Sequence, residues 1–302
     1  MLISKILKER NIHFYSEGEE EVDSLGLIGY NAGDRYNVAT FVENSKYICD
    51  FPSNIKLIIT KRYIAEKIRE TRKDIGLIVV DDPRNCFFKL HNYLAKKTIY
   101  KRENFKSKID DSAKISQLSS ISQNNVVIGE NTIIEEFVVV RENTIIGDNV
   151  IIRAGSTIGS EGFEFKTLDE ETYRVEHIGG VILEDNVEIQ YNTCVDRAIY
   201  PWDNTFIGTH SKIDNLVHVA HGVRLGKNVM IAAGATIGGR CNIGDNSWIG
   251  IGAVIRNGLM LGDNSRANMG SVVTKNVESN ESVSGNFAIE HRKFIDRMKG
   301  EK

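Results

Sequence analysis

Proline is almost missing from this sequence: three in 302 residues, at Pro52, Pro83 and Pro201. That excludes a Pro-rich linker. Cysteine is nearly as scarce. Cys49, Cys86, Cys194 and Cys241 are scattered with no CxxC pair, so they read as reduced thiols and form neither a disulfide frame nor a zinc cluster. No apolar run approaches the roughly 18 residues that would span a bilayer. The opening residues "MLISKILKERN" lack the apolar core and small-residue cleavage site of a signal peptide, so the expected location is cytoplasmic. Net charge is −3, with no basic excess of the kind a nucleic-acid footprint needs. The basic run "KKTIYKRENFKSK" at 96–108 reads as a solvated connection.

What the sequence has is a period of six. Aliphatic residues fall at Ile128, Ile134, Val140, Ile146, Ile152 and Ile158. The count restarts at Leu183 and runs through Ile189, Val195, Pro201, Ile207, Ile213, Val219 and onward to Val273, sixteen positions in which only Pro201 and Ala267 depart from large aliphatics. Four residues later the side chain is usually small or β-branched, as at Ser211, Val217, Ala235, Cys241, Ser247 and Ser265. Six is not the helical 3.6. It fits short strands joined by tight corners, with strings such as "GEN", "GKN" and "GDN" supplying the positive φ that such corners need. Three sides of six make an 18-residue coil, and coils stack at the ordinary strand spacing. Weaker hexads at Ile109, Ile115 and Ile121 begin the stack, and a one-residue slip precedes Ile128.

The remainder has another texture. "IKLIIT" and "GLIVVDD" read as strands, and "KRYIAEKIRETRK" and "PRNCFFKLHNYLAKK" carry helical spacing. The expected fold is therefore mainly β, a parallel β-helix of hexapeptide repeats with a small N-terminal α/β domain and a short C-terminal helix. The expected divisions are an α/β domain over 1–100, the repeat domain over 101–278 with residues 160–182 leaving it as a loop, and a tail and helix over 279–302.

Residues 214–222, "DNLVHVAHG", place two of the seven histidines three apart. With an 18-residue coil, Asp203, His221 and Gly239 share a column. A carboxylate orients an imidazole and supports its protonated form, and a glycine leaves a backbone N–H approachable. On the same count His218 has Tyr200 and Thr236 as neighbours, which offer it no such partner. The reading favours His221 as the chemical residue. Metal binding is the competing reading, as in metal-dependent β-helix enzymes, but steps of 18 and 36 from His221 meet no further histidine. A non-catalytic scaffold or sugar sensor is the third.

The chain resembles the UDP-3-O-acylglucosamine N-acyltransferases in "TFVENSKYI", "GLIVVDDPRNCFFKL", "GSEGFEF", "GGVILEDNVEIQYNTCVDRA", "DNTFIGTHSKIDNLVHVAHGVRLG" and "AAGATIGG". The resemblance implies a left-handed β-helix and a homotrimer. It implies transfer of an acyl group from a thioester, acyl-CoA or acyl carrier protein, to the amine of a nucleotide-linked amino sugar, with no bound cofactor and no metal. It makes His221 the general base, Gly239 the oxyanion donor through its N–H, and Asp203 and Asp214 supporting groups beside the sugar, with Asn215 next to them. It also implies a nucleotide-base clamp from Phe41, Asn44 and Tyr47. This chain departs from the family at three places. Leu259 stands where a second functional histidine is usual, "GFEF" replaces Gly-Phe-Gly-Phe, and Asp196-Arg197-Ala198 replaces Asp-Arg-Gly. The tail "GSVVTKNVESNESVSGNFA" is similar to short-chain sugar acetyltransferases, which keeps a CoA-dependent enzyme of surface polysaccharide open beside one of lipid A.

Overall fold

The computed structural model describes residues 1–18, 21–29, 36–48, 51–285 and 287–300; Cys49 lies outside them. Two compact units emerge. The first comprises Met1–Phe105, Glu161–Gly180 and Arg197–Asn204, and the second Lys106–Ser160, Val181–Asp196 and Thr205–Lys302.

The first unit is α/β. Helix α1 (Ile3–Glu9) leads into strands β1 (Tyr15–Glu17), β2 (Ser24–Leu25), β3 (Val38–Val42) and β4 (Ile55–Thr60), helix α2 (Arg62–Thr71), strand β5 (Gly76–Val79) and helix α3 (Pro83–Leu94). The sheet order is β1-β5-β4-β3-β2, with β1 antiparallel and the rest parallel. The strands and helices expected from sequence are β4, β5, α2 and α3. Helix α3 starts sharply because Pro83 fills its first position and the Asp82 side chain accepts the Asn85 amide at 2.9 Å. Its outer face grips the first excursion. Asn92 donates to the Arg174 carbonyl at 2.7 Å, while Asn85 and Lys89 both reach Asp169 at the tip of a two-stranded hairpin. His91 is fully buried between the Tyr100 hydroxyl at 3.2 Å and the Glu176 carbonyl at 2.9 Å, and desolvation pulls its pKa down to about 4.

The second excursion, 197–204, is held in the same unit. Trp202 donates to the Leu25 carbonyl at 2.9 Å and stacks on Tyr200 with ring planes 2° apart. Arg102 donates to the carbonyls of Pro201 and Asp203, both at 2.7 Å, and to Asn204 Oδ1 at 2.8 Å. This corrects the expectation of a solvated linker at that position. Burial lowers the Arg102 pKa, with the Asp203 charge opposing the shift.

The second unit is a left-handed parallel β-helix of three sheets, with nine, eight and eight strands. Each six-residue side turns its aliphatic residue inward, and Ile189, Ile207, Ile213, Val219, Ile237 and Ile249 are all fully buried. The small residue four places later fills the inner corner. Ser211 is fully buried, donates to the Gly226 carbonyl at 3.0 Å and accepts the Val229 amide at 3.1 Å. Asparagine takes the left-handed corner, as at Asn131, Asn149, Asn228, Asn246 and Asn264, with φ between 55° and 59°. The glycine after the aliphatic residue serves another need. A Cβ on Gly208 would stand 2.3 Å from the Gly226 carbonyl oxygen of the next coil. The stack opens with Lys108–Ile109, Lys114–Ile115 and Ser120–Ile121, and ends with Met260–Leu261, Val272–Val273 and Ser282–Val283. A C-terminal helix, α4 (His291–Lys299), follows.

The register exposes what the count of six concealed. Ile109 pairs with Ile128, nineteen on, which is the one-residue slip. Ile146 pairs with Leu183, 37 on, across the first excursion. Ile189 pairs with Ile213, 24 on, across the second. Immediately beyond that excursion the 18-residue step returns, as Phe206 pairs with Arg224 and Ile207 with Leu225.

Candidate active site

The 24-residue coil revises the neighbours of His218. His218 pairs with Cys194 on one side and Thr236 on the other, so Tyr200 is not in its column. Six extra residues preserve the hexad phase while displacing by one side each column that crosses them. The consequence is chemical. His218 Nε2 lies 3.0 Å from Asp196 Oδ2, and the other carboxylate oxygen accepts from Ser160 Oγ at 2.8 Å. The Asp196 side chain is 5% exposed and that of His218 43%. Burial pushes the Asp196 carboxyl up, but the hydrogen bonds from His218 and Ser160 win and hold it below its ordinary value. The Asp196 bond raises the His218 pKa against the opposing effect of burial. His218, which the sequence reading left without a partner, is therefore bound to a carboxylate.

His221 sits on Gly239. A Cβ built on Gly239 would stand 2.7 Å from His221 Nε2 and 2.9 Å from Cε1, so only glycine lets the ring lie there. The Arg240 amide donates to the His221 carbonyl at 2.9 Å, fixing the two corners together. Elsewhere in the β-helix the corner amide equivalent to that of Gly239 is often capped by a side chain. Asp245 takes the amide of Lys227, Asp214 that of Ala233 and Asp148 that of Glu130. Among the described residues the Gly239 N–H has no acceptor. An imidazole thus lies beside an open backbone donor.

The other expected site residues are placed as follows. Asp203 belongs to the first unit, in its second excursion, where it is 4% exposed and accepts its neighbour Asn204's amide at 2.8 Å. Asp214 spends both carboxylate oxygens on backbone amides, those of Asn215 at 2.7 Å and Ala233 at 3.0 Å. Asn215 accepts the Tyr191 amide at 3.0 Å. Phe41, at the end of β3, packs against Phe87 and Phe88 at centroid distances of 5.0 and 5.8 Å. Asn44 caps the short turn Ser45–Tyr47 by accepting the Lys46 amide at 3.0 Å. The Tyr47 ring is half exposed, with Lys46 Nζ 4.8 Å from its centroid. Leu259 is buried in the β-helix core. Among the described residues no three His, Cys, Asp or Glu side chains gather as a metal site, and no helix is long and apolar enough to cross a membrane.

Comparison with known proteins bears on this arrangement. The bacterial transferase hexapeptide (six repeats) model matches residues 125–160 and 204–239, and the hexapeptide repeat of succinyl-transferase matches 240–275. The UDP-3-O-acylglucosamine N-acyltransferase of Campylobacter lari is 34% identical over 264 residues, covering 79% of this chain and 78% of that protein. The chain belongs to the UDP-3-O-acylglucosamine N-acyltransferase family. Other members match over shorter stretches. The Prochlorococcus marinus protein is 40% identical over 55% of each chain. UDP-3-O-acylglucosamine N-acyltransferase 2 of Legionella pneumophila is 51% identical over 136 residues, 45% of this chain and 39% of its own. The chain is thus an acyltransferase of the hexapeptide-repeat type.

Proposed function

We propose that this chain is an N-acyltransferase that moves an acyl group from a thioester donor to the amine of a nucleotide-linked amino sugar. The carrying observation is the His221 ring packed on Gly239, whose own N–H is left open. An amine attacks only when it carries no extra proton, and a histidine titrating near neutrality is suited to take the proton released on attack. The amine nitrogen bonds to the thioester carbonyl carbon and the carbonyl oxygen becomes an oxyanion. The Gly239 N–H donates to that oxygen, and His221 accepts the amine proton. Collapse breaks the carbon–sulfur bond, and protonated His221 returns the proton to sulfur. The products are an amide and a free thiol.

In this reading Asp203 supports the protonated base, and Asp214 and Asn215 shape the corner beside the sugar. Phe41 and Tyr47 stack on the nucleotide base with Asn44 between them. The donor is acyl-CoA or acyl carrier protein, and the working assembly is a homotrimer in the cytoplasm. A lipid A enzyme with a long acyl chain and a surface-polysaccharide enzyme with a short one share this chemistry. Screening UDP- and dTDP-amino sugars against acyl-CoA and acyl-carrier-protein donors separates them, with light scattering reading the assembly. Absence of acyl transfer from every donor, or transfer that survives His221→Ala unchanged, would defeat the proposal.

A further inference from the structure

The Ser160–Asp196–His218 chain of hydrogen bonds stands apart from the His221–Gly239 pair and has no part in the steps above. Three features single it out. Asp196 is buried and spends its two oxygens on different partners, Ser160 and His218. The carboxylate is thereby fixed before the imidazole meets it. His218 gives Nε2 to that carboxylate, and its Nδ1 has no hydrogen-bond partner among the described residues. The ring is nearly half exposed, so the free edge is open to solvent. The strands on either side add no competing charge. Cys194 lies across from His218 on one side, with its thiol 3.0 Å from Ser160 Oγ and pushed up by burial into its neutral form. Thr236 lies across on the other.

We propose that Asp196, steadied by Ser160, is a positioning residue that holds the His218 ring in one orientation with its second N–H aimed at an oxygen of a bound substrate. A neutral ring donating through Nε2 to Asp196 would leave Nδ1 as an acceptor. The bond to Asp196 favours the protonated ring, which makes Nδ1 a charged donor. The inference rests on the acyltransferase reading for its substrates. Sugar hydroxyl, phosphate and thioester carbonyl oxygens share the required chemistry. A nucleotide sugar brings the first two and an acyl thioester the third.

The test needs no turnover, so its failure is distinct from failure of the acyl-transfer assay. Histidine-labelled protein is titrated by NMR, with His218→Gln assigning the signal. In wild type the His218 midpoint lies above that of a free histidine. Asp196→Asn, which keeps the shape and removes the charge, brings it down, and Ser160→Ala moves it part of the way. Calorimetry then reads binding of UDP-N-acetylglucosamine and of acetyl-CoA. Asp196→Asn and His218→Gln weaken one of the two by about tenfold or more, the usual effect of losing a charged hydrogen bond. The ligand affected identifies the source of the oxygen. If Asp196→Asn folds and leaves the His218 midpoint in place, or if both affinities are unchanged in both variants, the proposal is overturned. Ser160→Ala, a smaller change, supplies the same midpoint reading if Asp196→Asn does not fold.

Discussion

Replacing Gly239 by alanine adds one methyl group at the point where the site is tightest. The new Cβ would stand 2.7 Å from His221 Nε2, whereas ordinary contact begins near about 3.4 Å, so the ring must retreat by roughly 0.7 Å. Misplacing a reacting group by about 1 Å costs on the order of 10²-fold in rate. Loss of an oxyanion donor costs about 10²–10³-fold, and the displaced ring also crowds the approach to the Gly239 N–H. The expected fall in kcat for Gly239→Ala is therefore about 10²-fold, with substrate KM values nearly unchanged because the clamp is untouched. Stability should hold, since the φ of Gly239 is not in the left-handed region and alanine adopts its backbone without strain. Gly285→Ala, with nothing within 4 Å of its added Cβ, is the matched control. Steady-state rates with an acyl thioester and an amino-sugar nucleotide, beside thermal melts, measure both properties. A folded Gly239→Ala enzyme with wild-type kcat would show that this corner is not where the proton and the oxyanion are handled.

His221→Ala is expected to lower kcat by about 10²–10⁴-fold, the range for losing a positioned acid–base group, and to recover part of the rate as pH rises and more of the sugar amine is neutral; a pH–rate profile reads this. Tyr47→Ala should raise KM for the nucleotide sugar with little change in melting temperature, because the ring is half exposed. Phe41→Ala should raise KM and also cost about 2 kcal/mol of stability, since it removes the ring packed on Phe87 and Phe88. His91 has its folded pKa depressed to about 4 from the ordinary 6.5, so the unfolded chain binds the proton more readily. Stability is full above about pH 6.5 and is lost as pH falls toward 4, by about 3 kcal/mol in all. Urea melts at pH 7.5 and 4.5 should show that loss in wild type and a smaller one in His91→Gln.

The repeat was legible because burial imposes it. Every sixth residue must be aliphatic to close the core, and the asparagine corners follow from backbone sterics. The same regularity hid the site. An insertion of six residues leaves the phase of the count intact, so the detour at 197–204 passed as one more side of a coil. Pro201 was its trace in the sequence, one of only two departures in the series, and Trp202 beside it belongs to no hexad core. The reading that left His218 without a carboxylate rested on the 18-residue step, and that step fails for His218, which pairs 24 residues back with Cys194. Asp196 and Ser160 stood in segments already singled out, yet their meeting with His218 depends on offsets of 36 and 22 residues that no fixed period supplies. The role of Arg102 was equally hidden, because a buried arginine and a solvated one look alike in a basic run.

A wound sheet has a first and a last rung, each with one edge that no further coil of its own sheet pairs. The first rungs answer this with Lys108 and Lys114 and with the half-exposed Ile109, a poor template for a further coil. The rung above them is different. Val126, Val127 and Ile128 form a wholly aliphatic strand, with Val126 and Ile128 at most 2% exposed. A chain trimmed past Gln123 would present that strand as its terminus. The charged opening rungs are thus a poorer template for strand addition than the aliphatic rung above them. Trimming them away would bare that aliphatic strand, and with them would go the α/β unit that carries Phe41, Asn44 and Tyr47.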